Sequence, residues 1–596
     1  MKNKSMIKGG EFLIKDQEAK DIFIPEDFSE NQQMMASATK EFVEKELDSN
    51  REQFEKKDYK LTEDCMKKAG ELGLLGISVP IEYGGMGMPF NTSVLICDQI
   101  SGANGSFSTA FGAHTGIGTL PILLYGNDSQ RKKYLPKLSS GEWIGCYCLT
   151  EPGAGSDANS GKTRAVLTED EKHYLITGQK MWISNAGFAD VFIVFSRIED
   201  DKNITGFILE KGMEGITLGE EEHKLGLNSS STRQVFFNEV KVPTENMLGG
   251  RGNGFKIAMN ALNVGRIKLS AAVLDACRRV IGLSINYSNE RIQFGIPIAQ
   301  FGAIRHKLAD MAVRTYAIES ATYRAGNDIE KNIEKLQSEG VNHQQAYLKG
   351  VEEYAIECSI VKVLGSETIQ FCSDEGIQIY GGMGYSTDTP MEAAYRDARI
   401  ARIYEGTNEI NRMLLVGMIL KRAMKGELDI MSPAMKVASE LMSIPSFNSP
   451  DENVLFTIEK EYLKKLKKVI LMTSGKAAQH YTMEIEKEQE VLMNLADMVI
   501  MVYTAESAIL RAKKLADENG EESVKHQINM SKLFLYSAIK NCQRSGEEVI
   551  LSFAEGDEQK MLLMGLKRFT KGYNINPKQL RRSIAAKLIE ENKYCF

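Results

Sequence analysis

ARIYEGTNEI, residues 401–410, places one carboxylate, Glu405, between Tyr404 and Gly406 and just ahead of the polar cluster Thr407, Asn408 and Glu409. The sequence on either side reads as helix, with apolar residues recurring at three- and four-residue spacing. A carboxylate at such an edge is either a general base or a residue that stabilises exposed N–H groups at a helix start. Working outward, long helical periods run from Gly254 to about Lys425, broken at FGIPIAQFGA (294–303) and IYGGMGYSTDTP (379–390). A four-helix bundle would fit that length. Upstream the pattern changes to short β-rich runs, among them CYCLT (146–150), DVFIVFSRI (190–198) and RQVFFNEVKV (233–242). Further upstream, MMASATKEFVEKEL (34–47) and LTEDCMKKAGELGLLG (61–76) are again helical.

The fold class read from these switches is mainly α with a central β domain. A helical domain is expected over 28–145, a β domain over 146–250 and a helical bundle over 251–427. SIPSFNSPDEN, 443–453, reads as a linker, because two prolines and small polar residues interrupt any apolar period. A separate helical unit is expected over 454–596.

A chain of 596 residues, 43% hydrophobic and 26% charged, can bury several cores. Its net charge of −7 supplies no basic field for nucleic acid, so no nucleic-acid partner is expected. No signal-peptide core and no run of about 18 uncharged apolar residues occurs, so neither export nor membrane spanning is expected. Nine scattered cysteines without paired spacing fit reduced thiols and a cytoplasmic location. Cys146 and Cys148 alternate along one strand and read as packing residues. The seven histidines never reach ligand spacing, so no metal is expected.

Two further motifs have chemical readings. Gly153-Ala-Gly155-Ser156-Asp-Ala158 matches G-x-G-x-x-A, but a strand-like run follows it where a dinucleotide fingerprint needs a helix. The loop can still bring backbone N–H groups close to a cofactor or phosphate, or it is a plain tight turn. Trp182, in KMWISN, can pack in a core or cover a flat aromatic cofactor.

Together, CYCLTEPGAGSD (146–157), GQKMWISNAG (178–187) and YEGT (404–407) resemble the acyl-CoA dehydrogenase family, over residues of roughly 35 to 425. The resemblance implies an N-terminal helical domain, a β-barrel-like middle domain and a four-helix bundle. It implies FAD as cofactor, with Trp182 on the isoalloxazine ring and the Ser184 hydroxyl at flavin N5, where many members carry Thr. Tyr147, Leu149, Thr150, Gly155, Ser156 and Ile183 would line the same cofactor, Ser156 touching acyl-CoA as well. Arg291, Phe294, Gln378 and Gly382 match residues that reach the FAD of a neighbouring subunit, which implies a homodimer. Thr407 and Glu409 match positions near the adenine half. One departure is Phe301, where medium-chain members have a His contact.

The resemblance makes Glu405 the base that removes a proton beside a thioester, and assigns Tyr404, Gly406, Asn263 and Arg266 to substrate. Some members carry the base in M-x-x-L-x-x-E-R, which here reads Met259-Asn-Ala-Leu262-Asn-Val-Gly265-Arg266, so that position holds a glycine. The expected reaction is α,β-dehydrogenation of acyl-CoA to trans-2-enoyl-CoA in fatty-acid β-oxidation, with electron-transfer flavoprotein as acceptor. Alternatives are an acyl-CoA oxidase or a family-derived respiratory assembly factor. The extra C-terminal unit is similar to that of the very-long-chain branch. Lys460, Lys464, Lys465, Lys467 and Lys468 beside Leu463, Leu466 and Ile470 suit either the inner face of a membrane, as a peripheral contact, or a solvated face over a core. Small residues in SGANGSFSTAFGAHTGIG (101–118), Ala110 and Ala113 among them, would leave room for a long acyl chain.

Overall fold

The computed structural model describes residues 6–441 and 454–596, and the expected linker over 443–453 lies outside the described residues. The chain is helical from Glu30 to Ser140, and its helices begin where the sequence supplies caps. Ser29 accepts from Gln32 N, and the Gln32 side chain accepts from Ser29 N at 3.0 Å. Asn127 and Gln130 repeat this reciprocal pair at 2.9 Å ahead of Asp128–Ser140. The Gly105–Gly112 helix runs directly into a π-helical turn, Ala113–Gly118.

Eight strands follow: β1 (Gly145–Cys148), β2 (Arg164–Leu167), β3 (His173–Ser184), β4 (Val191–Ile198), β5 (Thr205–Glu210), β6 (Ile216–Glu221), β7 (Thr232–Pro243) and β8 (Met247–Leu248). They form one sheet in the order β6-β7-β3-β2-β4-β5-β8, with β1 parallel to β4. The two-residue period of β4 divides the protein's apolar interior. Val191, Ile193 and Phe195 join the large core shared with the helices, whereas Phe192 and Val194 join a smaller core with Cys146 and Cys148. The two cysteines are free and buried, their sulfurs 3.9 Å apart.

Gly254–Ala271, Leu274–Glu290, Gly302–Ser338 and Ala355–Tyr380 form the helical bundle. The interruption at 294–303 is a small hairpin, Ile292–Gln293 against Ile296–Pro297. The one at 379–390 ends the Ala355–Tyr380 helix and begins with the 3-10 turn Gly381–Tyr385.

Thr457–Tyr481, Gln489–Asn519 and Lys525–Phe553 lead the C-terminal helices. The helices of this C-terminal unit share one continuous apolar core with the bundle and the N-terminal domain. Buried ion pairs cross the boundary. Arg324 bonds Glu506 at 2.9 Å, Glu506 bonds Lys467 at 2.6 Å, and Arg511 bonds Glu319 and Glu26, each at 2.6 Å. On the lysine-rich helix Thr457–Tyr481, Leu463, Leu466, Ile470 and Lys467 are buried, so its apolar side faces the core. Gln489–Asn519 is long and apolar enough to cross a membrane, but most of it lies inside this core.

Candidate active site

Glu405 sits on the turn between the 3-10 segment Arg399–Arg402 and the Asn408–Met424 helix. Thr407 caps that helix, its hydroxyl accepting from Ile410 N at 3.2 Å. Glu405 and Gly406 are both left-handed, at φ 59° and 79°. For glycine this conformation is easy; for glutamate it is strained and has to be held by its surroundings. Three side chains do so through the turn's carbonyls. Asn411 Nδ2 donates to the oxygens of Glu405 (3.2 Å), Gly406 (2.8 Å) and Thr407 (3.0 Å). Lys362 Nζ donates to Gly406 O at 2.7 Å, and Arg266 Nε to Glu405 O at 3.4 Å.

The turn delivers the carboxylate to a cavity of about 610 Å³, of ordinary size for a small-molecule site. Ser184, Gly265, Tyr404 and Glu405 all line it. Glu405 Oε2 is buried without a hydrogen-bond partner among the described residues. Burial pushes the carboxyl up to about 7, with Arg266 and then Lys362 opposing that rise. Burial also drives Lys362 down to about 7, opposed by Glu405 and assisted by Arg266. A proton acceptor poised near neutrality and free on one oxygen is suited to removing a proton from carbon.

The β domain reaches the cavity at Ser184, the last residue of β3, and at Leu227. A register shift in β3 between Lys180 and Ile183 makes a bulge at Trp182, which takes φ 61° and leaves its indole half exposed while Ile183 is buried. Thr150 O accepts from Met181 N at 2.9 Å, tying the β1 exit to this bulge. Leu149 is buried and its carbonyl accepts from Lys180 Nζ at 3.1 Å. The glycine-rich loop, with Gly155 and Ser156 exposed, is anchored at its base by Glu151. That carboxylate bonds Lys180 Nζ at 2.7 Å and accepts from Lys162 N (2.5 Å) and Thr163 N (3.1 Å). A Cβ at Gly153 or Gly155 would meet nothing within 4 Å, so the loop backbone is open on that side.

The remaining residues read from the sequence fall into two groups. Tyr147 is buried with an unpartnered hydroxyl and feels the charge of Glu405, while Asn263 and Arg266 are joined at 2.7 Å behind the turn. Arg291, Phe294, Gln378 and Gly382 are exposed, at the ends of two helices joined by the stacked rings of Tyr287 and Tyr380, 4.1 Å apart. They are not brought to the cavity. Glu409 is exposed beyond the Thr407 cap. Of the two alanines, Ala113 lines the cavity; Ala110 does not, and its carbonyl accepts from Asn185 Nδ2 at 2.9 Å. Sequence reasoning missed Lys362, Asn411 and Glu151; the one visible signal was a lysine inside the apolar run IVKVLG.

A flat cofactor fits this arrangement. The β domain carries an exposed indole on a strained bulge, an open glycine loop and the unpartnered hydroxyl of Tyr147, and its Ser184 lines the cavity that holds the free carboxylate oxygen of Glu405. Fold and site thus define a class of protein in which a carboxylate with a free oxygen, held between a helical bundle and a β domain, faces a cavity of ligand size. Family models described as the N-terminal, middle and C-terminal domains of acyl-CoA dehydrogenase match residues 29–142, 146–240 and 252–420, and a second C-terminal-domain model matches 465–568. The chain is 43% identical over 587 residues to a probable acyl-CoA dehydrogenase of Bacillus subtilis, covering 98% of each chain. It superposes with a TM-score of 0.95 and 42% identity on the crystal structure of a Bacillus anthracis acyl-CoA dehydrogenase complexed with FAD, covering 99% of this chain and 100% of that one. It is 41% identical to the human mitochondrial very-long-chain specific acyl-CoA dehydrogenase over 354 residues, 58% of this chain and 51% of that protein. The chain belongs to the acyl-CoA dehydrogenase family, whose members are flavin-dependent oxidoreductases.

Proposed function

We propose that this protein binds FAD and dehydrogenates long-chain acyl-CoA thioesters between Cα and Cβ, as a step of fatty-acid β-oxidation. The observation that carries the reading is the free, buried Oε2 of Glu405 in the cavity beside Ser184. Glu405 takes the pro-ionised role of base and removes the α-proton. Its own N–H donates to no acceptor among the described residues and is available to the thioester oxygen, where negative charge develops as the proton leaves. The acyl chain displaces water from the cavity, which raises the basicity of the carboxylate toward that of its target. FAD, when bound against Trp182 and Ser184, supplies the acceptor for the hydride that leaves Cβ.

The chain-length reading is supported by Ala113, Gly112 and Gly116 along the cavity wall and by the similarity to the human very-long-chain protein. Electron-transfer flavoprotein is the acceptor we assign for reoxidation. The exposed ring of Phe294 and its neighbours support a homodimer in which each subunit completes the other's cofactor site. Nine cysteines without a disulfide among the described residues support a cytoplasmic location.

Anaerobic titration of the purified flavoprotein with acyl-CoAs from butyryl to stearoyl tests the reading. Bleaching of the flavin absorbance, strongest with long chains, is expected. Absence of bleaching with every thioester sinks the dehydrogenase assignment, and rapid oxygen-dependent peroxide formation would replace it with an oxidase.

A further inference from the structure

Lys362 lies inside the Ala355–Tyr380 helix with none of its surface exposed. Both of its hydrogen bonds go to neutral acceptors, Gly406 O at 2.7 Å and Asn408 Oδ1 at 2.8 Å. The amide of Asn408 is oriented for this: its Nδ2 donates to Glu367 Oε1 (3.1 Å) and Ser366 Oγ (3.0 Å), which turns Oδ1 toward the lysine. An ammonium removed from water normally takes a carboxylate partner. Here it grips the turn that carries Glu405 and leaves the carboxylate alone. Arg266 behaves in the same way, bonding Glu405 O and Asn263 Oδ1.

The consequence follows from how differently contact and distance act on a base. A carboxylate with no counter-charge in a buried site is protonated and cannot accept a proton. A carboxylate in a direct ion pair is ionised, but the partner occupies the oxygen that has to react. A cation held one group further away still stabilises the charge, because Coulomb energy falls only as 1/r, and it leaves the lone pairs open. The charged groups that act on Glu405 are Arg266 from the Gly254–Ala271 helix and Lys362 from Ala355–Tyr380, and the charge of Glu405 in turn raises Tyr147 from β1 and Tyr404 beside it. Glu367 and Glu409 act in turn on Lys362.

We propose that Lys362 is a positioning residue for the reaction: clamped on Gly406 O and Asn408, it fixes the Glu405 turn and, in its protonated form, supplies a non-contacting counter-charge that favours the ionised base with Oε2 free. The inference rests on the dehydrogenase reading for its kinetic arm only. Two measurements on the holoprotein test it. The first is the pH dependence of kcat/KM with palmitoyl-CoA and an artificial dye, whose acid limb reports the free enzyme's base. Lys362→Met should move that limb upward by about one pH unit, which is about a fivefold loss at pH 7. The second is a 13C NMR titration of protein labelled at glutamate carboxyls, with the Glu405 resonance assigned by its loss in Glu405→Gln; the same upward shift is expected without turnover. A lysine that only fills space and satisfies a carbonyl would move neither. If Lys362→Met does not fold, Lys362→Gln decides, since its amide can still donate to Gly406 O while the charge is removed, and the limb should again move upward. An unmoved titration in the folded variant overturns the proposal, whereas a parent enzyme that never bleaches overturns only the dehydrogenase reading.

Discussion

A Cβ built on Gly265 would lie 2.4 Å from Glu405 Oε2. The glycine of one helix and the carboxylate of a distant turn thus claim the same point in the cavity, and the glycine is what leaves room for the base. Gly265→Ala should push the carboxylate aside with little cost to the fold. We expect kcat to fall by roughly 10- to 100-fold, the scale of a base displaced by about 1 Å, with flavin content unchanged. Stopped-flow flavin reduction checks this.

Glu405→Gln keeps the shape of the side chain but cannot accept a proton. Flavin should remain bound while reduction by acyl-CoA falls by at least about 100-fold, the lower end of what general-base catalysis contributes. In the parent enzyme the base works only when ionised, and burial holds its carboxyl up at about 7. Activity measured as kcat/KM should therefore drop as pH falls below about 7, where an ordinary carboxylate would hold its activity well below pH 6. Residual activity within a few-fold in the glutamine variant would require another base.

Ala113 lines the cavity from the π-helical turn Ala113–Gly118. Ala113→Glu should fill part of it and shift the optimum toward shorter acyl chains, each excluded methylene forfeiting about 0.8 kcal/mol of transfer energy. Specificity constants from butyryl- to stearoyl-CoA measure the shift. Ala110→Ser, at a position that does not line the cavity, should leave the profile where it is.

Glu506 is buried between Arg324 and Lys467. Burial raises its carboxyl, but the two cations more than offset this and hold it below the usual carboxylate range. Glu506→Gln strands two buried cations and should destabilise the fold by about 3–5 kcal/mol. A depressed carboxyl contributes stability at neutral pH that is lost as pH falls through its folded value. The parent should therefore lose stability in acid more steeply than the variant, as read by denaturant midpoints at pH 7 and pH 4.

Phe294 is 94% exposed on the 292–297 hairpin, in a left-handed conformation with φ 52°. An exposed, strained aromatic points to a surface that is covered in the working assembly. Phe294→Asp should weaken dimerisation and release flavin in parallel, checked by sedimentation and absorbance. A dimer retaining full flavin would remove the neighbouring subunit from the cofactor site.

Much of this architecture could be read in advance because it is written in local periods. The change from a helical to a two-residue period at Cys146, and back at Gly254, appears directly in the elements, and the turn around Glu405 is a short local signal. What escaped depends on partners remote in sequence. Lys362 meets a turn 44 residues away, and Lys467 meets Glu506 39 residues away; neither pairing leaves a mark in the local pattern. Ala110 and Ala113 were indistinguishable as small residues.

The chain's two ends meet. The ring of Phe12 packs on Tyr503 at 4.8 Å, Asp27 pairs with Lys514 at 2.6 Å and Glu26 pairs with Arg511. A ribosome adding roughly 5–20 residues each second releases the first of these segments long before the second exists. Residues 12–28 can therefore meet part of their native surroundings when Tyr323 is made, since Phe28 packs on it at 5.2 Å, but their contacts are completed only after Lys514 has cleared the exit tunnel.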